Sequence, residues 1–142
     1  MLLDVNVLLY AYGARGADQE RAKAWLENAL NGYEPVLLPW ATILGFLRIA
    51  TNLRAFERPL SLDEAIDAVS GWLARPNVRI AQPTERHWEL LAASLREAQA
   101  KGPLVPDAHL AVLALEHGAT VCTTDRDFAR FKNVRTTDPL RD

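Results

Sequence analysis

Apolar and polar residues divide the chain into short apolar runs separated by longer stretches with helical spacing. The short runs predict four buried strands, at residues 2–5, 36–38, 78–81 and 120–123. Val134 indicates a further small edge strand near the end of the chain. The sequence therefore predicts a sheet of short strands, and the segments between them must supply the rest of the core.

These intervening segments show the periodicity of helices. After a possible cap at Asp18, apolar residues recur at helical spacing between residues 22 and 30, and residues 40–51 are apolar on nearly every side. Ser61 and Glu64 form a capping box for the next helix. The apolar face predicted for that helix consists of Ile66, Val69 and Leu73.

Two later helices precede the last long strand. Thr84 is expected to cap the first of them, and Pro106 occupies the first turn of the second, which ends at Gly118. Residues 125–128 are expected to form a short helix or turn. The first of the two helices carries its apolar residues at positions i, i+3, i+4 and i+7, namely Trp88, Leu91, Ala92 and Leu95.

Strands that alternate with helices in this way predict an α/β fold. We expect a short central parallel sheet with helices on both faces, in a single domain spanning residues 1–142. In such sheets, ligands bind beyond the carboxyl ends of the strands. Polar residues that directly follow a strand are therefore the first candidates for a functional site.

The composition excludes few functions, but it indicates the cellular compartment. With 16 Lys and Arg against 18 Asp and Glu, the net charge is −2, which neither announces nor excludes nucleic-acid binding. Cys122 is the only cysteine, so an intrachain disulfide and a cysteine-based zinc cluster are both ruled out. No apolar stretch is long enough for a membrane span and no signal peptide is recognisable, so the cytoplasm is the expected location.

Acidic residues follow or flank three of the predicted elements. Asp4 lies within an otherwise apolar run, Asp107 follows Pro106 at a helix start, and Asp125 and Asp127 follow the strand at 120–123. Each of the last three has an ordinary explanation as a cap or a solvated side chain. Asp4 does not, because its apolar neighbours leave it no obvious solvent face, and a buried carboxylate is costly unless it is compensated.

A divalent cation would supply that compensation. Gathered carboxylates repel one another unless a cation lies among them, and Asp oxygens suit Mg²⁺ or Mn²⁺. Such a metal can activate water and stabilise the leaving oxygen in phosphodiester cleavage. Asn6, two residues after Asp4, is either a supporting amide that orients an acid or water, or a simple cap.

Three motifs resemble those of the PIN-domain ribonucleases, and more closely the toxins of VapBC-type toxin–antitoxin pairs. They are Leu3-Asp4-Val5-Asn6-Val7-Leu8-Leu9-Tyr10, Pro106-Asp107-Ala108-His109-Leu110-Ala111 and Thr123-Thr124-Asp125-Arg126-Asp127-Phe128. The resemblance covers almost the whole chain. It implies a PIN-like three-layer fold, Mg²⁺ or Mn²⁺ in an acidic pocket, cleavage of RNA, a homodimer, and inhibition by a small antitoxin whose tail fills the cleft.

By position, the resemblance assigns Asp4, Asp107 and Asp125 as catalytic and metal-binding residues. Asn6, Thr124 and Asp127 are assigned supporting roles. The chain departs from the family at Gly45, where the family usually has Glu, and no acid occurs between residues 35 and 56. Metal affinity is therefore expected to be lower, a second metal is in doubt, and water, Thr42 or the substrate phosphate would have to take the place of the missing carboxylate.

The remaining candidates have mostly structural explanations. Trp25, Trp72 and Trp88 are expected in the core, and His87 and His117 at the surface or in caps. His109 does not share a helix face with Asp107 and is not expected to act as a base. The basic run of Arg126, Arg130, Lys132 and Arg135 is either a solvated face or an RNA phosphate contact.

Two other functions remain open on the sequence. Gly45 favours a catalytically weak or silent PIN-like module that binds RNA or protein. Phosphoryl transfer through an aspartyl-phosphate at Asp4 is the third reading, but such enzymes need a second Asp where this chain has Asn6, and Lys132 is the only late lysine. The principal prediction is a metal-dependent endoribonuclease toxin.

Overall fold

The computed structural model of the chain describes residues 1–13 and 17–141. Within these residues, five strands form one parallel sheet in the order β3-β2-β1-β4-β5. The α/β architecture predicted from the sequence is confirmed. The strands are β1 (Leu2–Leu3), β2 (Val36–Pro39), β3 (Val78–Ala81), β4 (Val121–Cys122) and β5 (Thr136–Thr137).

Helices occupy the connections between the strands. A short 3₁₀ helix, Arg126–Arg130, follows β4 and confirms the short helix predicted there. Among the described residues, no helix combines the length and the apolar composition needed to cross a bilayer. The helices are α1 (Val5–Gly13), α2 (Ala17–Asn31), α3 (Trp40–Ala50), α4 (Leu62–Leu73), α5 (His87–Ala98) and α6 (Leu104–Glu116).

The core is split by the sheet into two layers. Successive strand residues point to opposite faces, so Leu3 packs in one apolar cluster and Leu2 in the other. The first cluster lies against helices α1–α4, where the rings of Tyr12, Phe46 and Trp72 pack edge to face. The second lies against α5 and α6. This arrangement gives the three layers that the sequence predicts.

The first strand is shorter than predicted, and a helix follows it at once. β1 ends at Leu3, and residues 5–13, where no helix is predicted from the sequence, form α1. The segment is apolar on nearly every side, and a buried helix of that kind cannot be distinguished from a buried strand by periodicity. Asp4 therefore stands between a strand and a helix, and the N–H of Val5 donates to its carboxylate at 2.7 Å.

Two predicted helix faces are also corrected. The capping box of Ser61 and Glu64 is present, but α4 buries Ala65, Val69 and Trp72 and leaves Ile66 and Leu73 exposed. α5 begins at His87 rather than directly after Thr84, and none of its residues is fully buried. Trp88 is exposed, so its predicted place in the core is wrong, whereas Trp72 is buried and Trp25 packs against the core as expected.

The strand order fixes where a ligand can approach. From β1 the chain winds in one direction through β2 to β3, and then returns to place β4 on the other side of β1. The carboxyl ends of β1 and β4 are thus adjacent at the point where the winding reverses, which is where open parallel sheets bind their ligands. Asp4 follows the first of these strands, and Thr123 follows the second.

Candidate active site

Three chain segments bring acidic side chains to the carboxyl edge of the sheet. Asp4 follows β1, Asp107 lies in the first turn of α6, and Asp125 immediately precedes the 3₁₀ helix that contains Asp127. Asp4 and Asp125 are close enough to Asp107 to raise the pKa of its carboxyl by repulsion. The acids predicted from the sequence therefore do meet, although Asp4 and Asp107 are more than a hundred residues apart along the chain.

Asp4 is the buried member of this group. Only 5% of its surface is exposed. Its Oδ1 accepts the Val5 N–H, and its Oδ2 accepts bonds from the Asn6 amide at 3.0 Å and the Thr123 hydroxyl at 2.7 Å. Burial nevertheless raises the pKa of the Asp4 carboxyl above its usual range, and Asp125 adds repulsion, because the three donors offset the desolvation only in part.

Thr123 joins the parts of the site and was missed by the sequence analysis as a functional residue. Its buried hydroxyl donates to Asp4 and accepts from the Asp125 N–H at 3.0 Å and the Asn6 amide at 3.2 Å. One side chain thereby links the ends of β1 and β4 to the start of α1. The available sequence signal was its position at the end of the predicted strand 120–123, two residues before an acid.

Asn6 lies where a supporting amide is needed. Besides its bonds to Asp4 and Thr123, its Oδ1 accepts the main-chain N–H of Thr124 at 3.2 Å. Thr124 therefore takes part in this network through its main-chain N–H. Together these bonds hold the first turn of α1 against the segment that follows β4.

The more open part of the site consists of three carboxylates. Asp107, Asp125 and Asp127 each offer an oxygen, and these oxygens lie within 4.8 Å of one another. The Asp127 N–H donates to Asp125 Oδ1 at 2.8 Å, so Asp125 is a helix cap as well as a member of the cluster. Burial, reinforced by repulsion from Asp125, Asp4 and Asp127, raises the pKa of Asp107 to about 6.

These carboxylates suit a hard divalent cation. Oxygen donors from Asp are the ligands that Mg²⁺ and Mn²⁺ prefer, and a cation among them would remove the repulsion that raises the Asp107 pKa. The tightest group differs from the predicted set, since Asp127 belongs to it and Asp4 lies outside it. Asp107 and Asp125 are common to both sets.

Gly45 faces the start of α1. A Cβ atom added at Gly45 would lie 3.3 Å from Cγ2 of Val5, the residue next to Asp4. A carboxylate carried at this position would therefore begin beside the acidic site, which makes its absence relevant to the chemistry. Thr42 is buried nearby, but its hydroxyl donates to the Leu3 carbonyl at 2.8 Å and so serves to hold α3 to β1.

The basic run is mostly engaged within the protein. Lys132 lies 2.8 Å from Glu97, and Arg130 donates to the Ala98 carbonyl at 3.2 Å. Arg135 donates to the carbonyl of Gly118, which precedes β4 and so lies toward the opposite edge of the sheet. Within the described residues, Arg126 alone of this run has no hydrogen-bond or ion-pair partner. The salt bridge of Lys132 also disfavours the aspartyl-phosphate reading.

The histidines form a separate network between α5 and α6. His87 Nδ1 lies 2.6 Å from Glu116 Oε2, and His87 Nε2 lies 2.8 Å from His109 Nδ1. Thr84 hydrogen-bonds the same glutamate, and His117 contacts the Gln82 carbonyl at 2.8 Å. His87 is therefore partly buried and partnered rather than a surface residue. The network fixes one helix against the other.

Comparisons with known proteins identify the family of the chain. A sequence model described as the PIN domain matches residues 1–134. Ribonuclease VapC37 of Mycobacterium tuberculosis (strain ATCC 25618 / H37Rv) is 41% identical over 138 residues, which cover 97% of this chain and 96% of the relative.

Solved structures show the same fold. The structure of FitAB bound to an IR36 DNA fragment matches with a TM-score of 0.70 at 24% identity, covering 98% of this chain and 94% of that one. VapBC2 from Rickettsia felis, bound to a DNA fragment from its promoter, matches with a TM-score of 0.68 at 14% identity, covering 96% of each chain.

Proposed function

Because this chain belongs to the PIN domain family, and within it to the VapC ribonucleases, we propose that it is a metal-dependent endoribonuclease and the toxin of a VapBC pair. The observation that carries the proposal is the meeting of Asp4, Asp107 and Asp125 at one edge of the sheet, with the pKa of Asp107 raised to about 6. One PIN-like domain over residues 1–142 and a cytoplasmic location, suited to a single reduced cysteine, are part of it.

Asp107 and Asp125 are proposed to hold Mg²⁺ or Mn²⁺, with Asp127 beside them. Their oxygens lie within 4.8 Å of one another, a spacing that a single cation can span. A divalent cation held by these residues would activate water and stabilise negative charge in phosphodiester cleavage. No fourth carboxylate enters from α3, so the acids at positions 125 and 127 must carry more of the binding.

Asp4 is proposed to act from the buried side of the site. Thr123 and Asn6 donate hydrogen bonds to its Oδ2. Within the described residues, Oδ1 accepts only the Val5 N–H, so a second lone pair of this oxygen remains free. Its raised pKa gives the Asp4 carboxylate a greater proton affinity than an ordinary aspartate has. Asp4 thus serves as a ligand, directly or through water, or receives a proton at Oδ1.

RNA is the proposed substrate. VapC37 is named a ribonuclease, and the clustered carboxylates of this chain could hold a divalent cation, which grips phosphate oxygens. Among the three predicted RNA-contacting residues, Arg126 is the best placed, because it adjoins Asp125 and is exposed without an internal partner in the described part of the chain. Arg130 and Lys132 would need to leave Ala98 and Glu97 to reach a phosphate.

A small antitoxin and a second copy of the chain are the proposed protein partners. VapBC2 of Rickettsia felis, which has the same fold, is named as a pair, and the family resemblance implies both assemblies. Trp40 and Leu44 are exposed one turn apart on α3, with 48% and 60% of their surface accessible. Light scattering on Leu44→Asp, compared with Leu53→Asp on a separate loop, tests whether this face supports the homodimer.

The proposal is tested by RNA cleavage with purified protein in Mg²⁺ or Mn²⁺. We expect wild type to cleave single-stranded RNA internally and Asp4→Asn, which keeps the size of the side chain, to lose this activity. Full metal-dependent cleavage by Asp4→Asn would refute the assigned role of Asp4. Arrest of growth on expression of wild type, relieved by Asp4→Ala, would support the toxin role.

A catalytically silent RNA- or protein-binding module is the second candidate, and Gly45 favours it. Gly45→Glu and Gly45→Gln place the same atoms against Val5 but only the first adds a carboxylate. If wild type and Gly45→Gln are silent with every divalent metal while Gly45→Glu cleaves RNA, the second candidate is correct. Cleavage by wild type excludes it.

A further inference from the structure

A second pocket lies at the amino-terminal edge of the sheet, opposite the acidic site. It is a cavity of about 520 Å³ between the loop that precedes β2 and the loop that precedes β3. Tyr33, Arg75, Asn77 and Arg79 contribute the polar and aromatic part of its lining. Among the described residues, no carboxylate lines it, and Glu34, the nearest acid along the first loop, is outside the lining. The pocket therefore carries two positive charges without a negative one.

Both arginines are oriented by neutral partners. Nη1 of Arg75 donates to Oδ1 of Asn31 at 2.9 Å. Nη1 of Arg79 donates to the carbonyls of Pro76 at 2.6 Å and Val78 at 2.9 Å. Neither guanidinium has a carboxylate partner within the described residues. Both side chains are exposed, and Arg75 also borders a neighbouring pocket that is lined by Glu27 and Asp67.

Some other surface cations of the chain are instead paired with carboxylates. Arg86 is paired with Glu89, Lys132 with Glu97, and Arg141 with Asp138. A guanidinium held in place and left without a counter-ion is a good ligand for phosphate, because its planar fork can donate two hydrogen bonds to one phosphate group. Two of them in one cavity favour a polyanion over a single neutral ligand.

The rest of the pocket is a rigid frame with an aromatic ring at its rim. Asn77 donates to the carbonyls of Ala29 at 2.9 Å and Glu34 at 3.0 Å, and so ties the two loops together. Tyr33, on the first of these loops, is fully exposed, with a relative accessibility of 102%. An exposed aromatic ring beside oriented cations is the combination that binds single-stranded nucleic acid, in which bases stack on the ring and phosphates meet the cations.

We propose that this pocket is a second contact site for single-stranded RNA, in which Arg75 and Arg79 bind backbone phosphates and Tyr33 stacks on a base. The proposal rests on the ribonuclease function, since it gives that enzyme a hold on RNA away from the bond that is cut. Strands β2 and β3 have four residues each, so the pocket lies about 13 Å or more from the carboxyl edge at ~3.3 Å per residue. It would hold a flanking part of the same RNA.

Binding of a fluorescently labelled single-stranded RNA, measured by anisotropy in EDTA at several salt concentrations, tests the site. Arg75→Gln with Arg79→Gln is expected to weaken binding about tenfold and to lower the slope of log Kd against log salt by about 1.4, at ~0.7 per cation. Tyr33→Ala should weaken binding by a similar factor without changing the slope. Arg86→Gln, an exposed arginine already paired with Glu89, is the matched control and should leave both quantities unchanged.

Cleavage kinetics separate this proposal from the proposed function. On a long RNA the double variant should raise KM with kcat unchanged, and on an RNA of a few nucleotides it should behave as wild type. Unchanged RNA affinity and salt slope in the double variant, with cleavage by wild type intact, would overturn the second site alone. If inorganic phosphate bound the pocket but did not compete with RNA, the pocket would be a site for a free anion, and this result would also overturn the proposal. Absence of all cleavage by wild type would instead overturn the ribonuclease function.

Discussion

The two edges of the parallel sheet carry opposite charges. The acids at one edge repel one another, whereas the two arginines at the other edge have neutral hydrogen-bond partners. At the carboxyl edge, carboxylates are gathered so closely that burial and mutual repulsion raise the pKa of Asp107 to about 6. At the amino edge, Arg75 and Arg79 lie in a pocket lined by no carboxylate from the part of the chain that the structure describes. In a parallel sheet all strands start at one edge and end at the other, so residues that follow strands are separated from residues that precede them. The fold thereby keeps a proposed cation site apart from a proposed phosphate site.

Removing one carboxylate from the acidic edge should have the largest effect. Asp125→Asn keeps an oxygen that can cap the 3₁₀ helix, so the fold should survive, but the variant loses a proposed metal ligand. We expect RNA cleavage to fall by about 100-fold or more, since a metal contributes several kcal/mol to stabilising the transition state. Initial rates in Mg²⁺ measure this. Asp63→Asn, at the exposed start of α4, is the control and should retain full activity.

Thr123→Val should have an intermediate effect, because it breaks the link between the two strand ends without removing a charge. The variant loses the hydroxyl that donates to Asp4 and accepts from the Asp125 N–H. Groups that orient metal ligands typically contribute about 10- to 100-fold to activity or metal affinity. Thr123→Ser retains the hydroxyl and should restore most of both. If Thr123→Val matched wild type in Mn²⁺ affinity and cleavage, the hydroxyl would not organise the site.

The smallest effect is on stability, and here the removal of a carboxylate should be favourable rather than harmful. The Asp107 pKa is raised in the folded protein, so the folded state binds protons more readily than the unfolded state between pH 4 and 6. Without metal, stability should therefore fall as pH rises through this window, and the penalty is fully present at pH 7. Asp107→Asn should remove it and stabilise the metal-free protein at pH 7, by on the order of 1 kcal/mol after allowance for solvent screening.

Urea unfolding in EDTA at pH 7 and at pH 4 measures this effect. The difference between Asp107→Asn and wild type should shrink at the lower pH. Mg²⁺ should stabilise wild type and not the variant, because the cation binds the native carboxylates. A variant that is less stable than wild type at pH 7 in EDTA would show that repulsion among the acids does not destabilise the metal-free protein.

The acidic edge was largely predictable from the sequence and the amino edge was not. Asp4 lies near the carboxyl end of the first predicted strand and Asp125 lies just past the strand at 120–123, and the rule for ligand sites in parallel sheets then brings them together. Thr123 was counted as the last residue of the predicted strand 120–123, and only its three hydrogen-bond partners reveal its importance. Arg75 and Arg79 carry no sequence signal, because the sequence does not distinguish an arginine that is oriented by hydrogen bonds from a solvated one.

The errors in secondary structure have a common cause. Residues 5–13 are apolar around the whole helix, so α1 showed no amphipathic period and was not predicted. Trp88 lies at helical spacing with its neighbours, yet α5 has no fully buried residue, since it covers only α6 and the second core cluster. Periodicity predicts that one face is buried, but the depth of burial is set by the tertiary neighbours.

The most direct test of the acidic site is a titration of the Asp107 side-chain carboxyl by NMR, with and without Mg²⁺. We predict a pKa of about 6 in the metal-free protein and a value shifted well below this when Mg²⁺ is added, because a cation among the carboxylates favours their ionised form. An Asp107 carboxyl that titrates near its ordinary value without metal, or that does not respond to Mg²⁺, would contradict the proposed metal site.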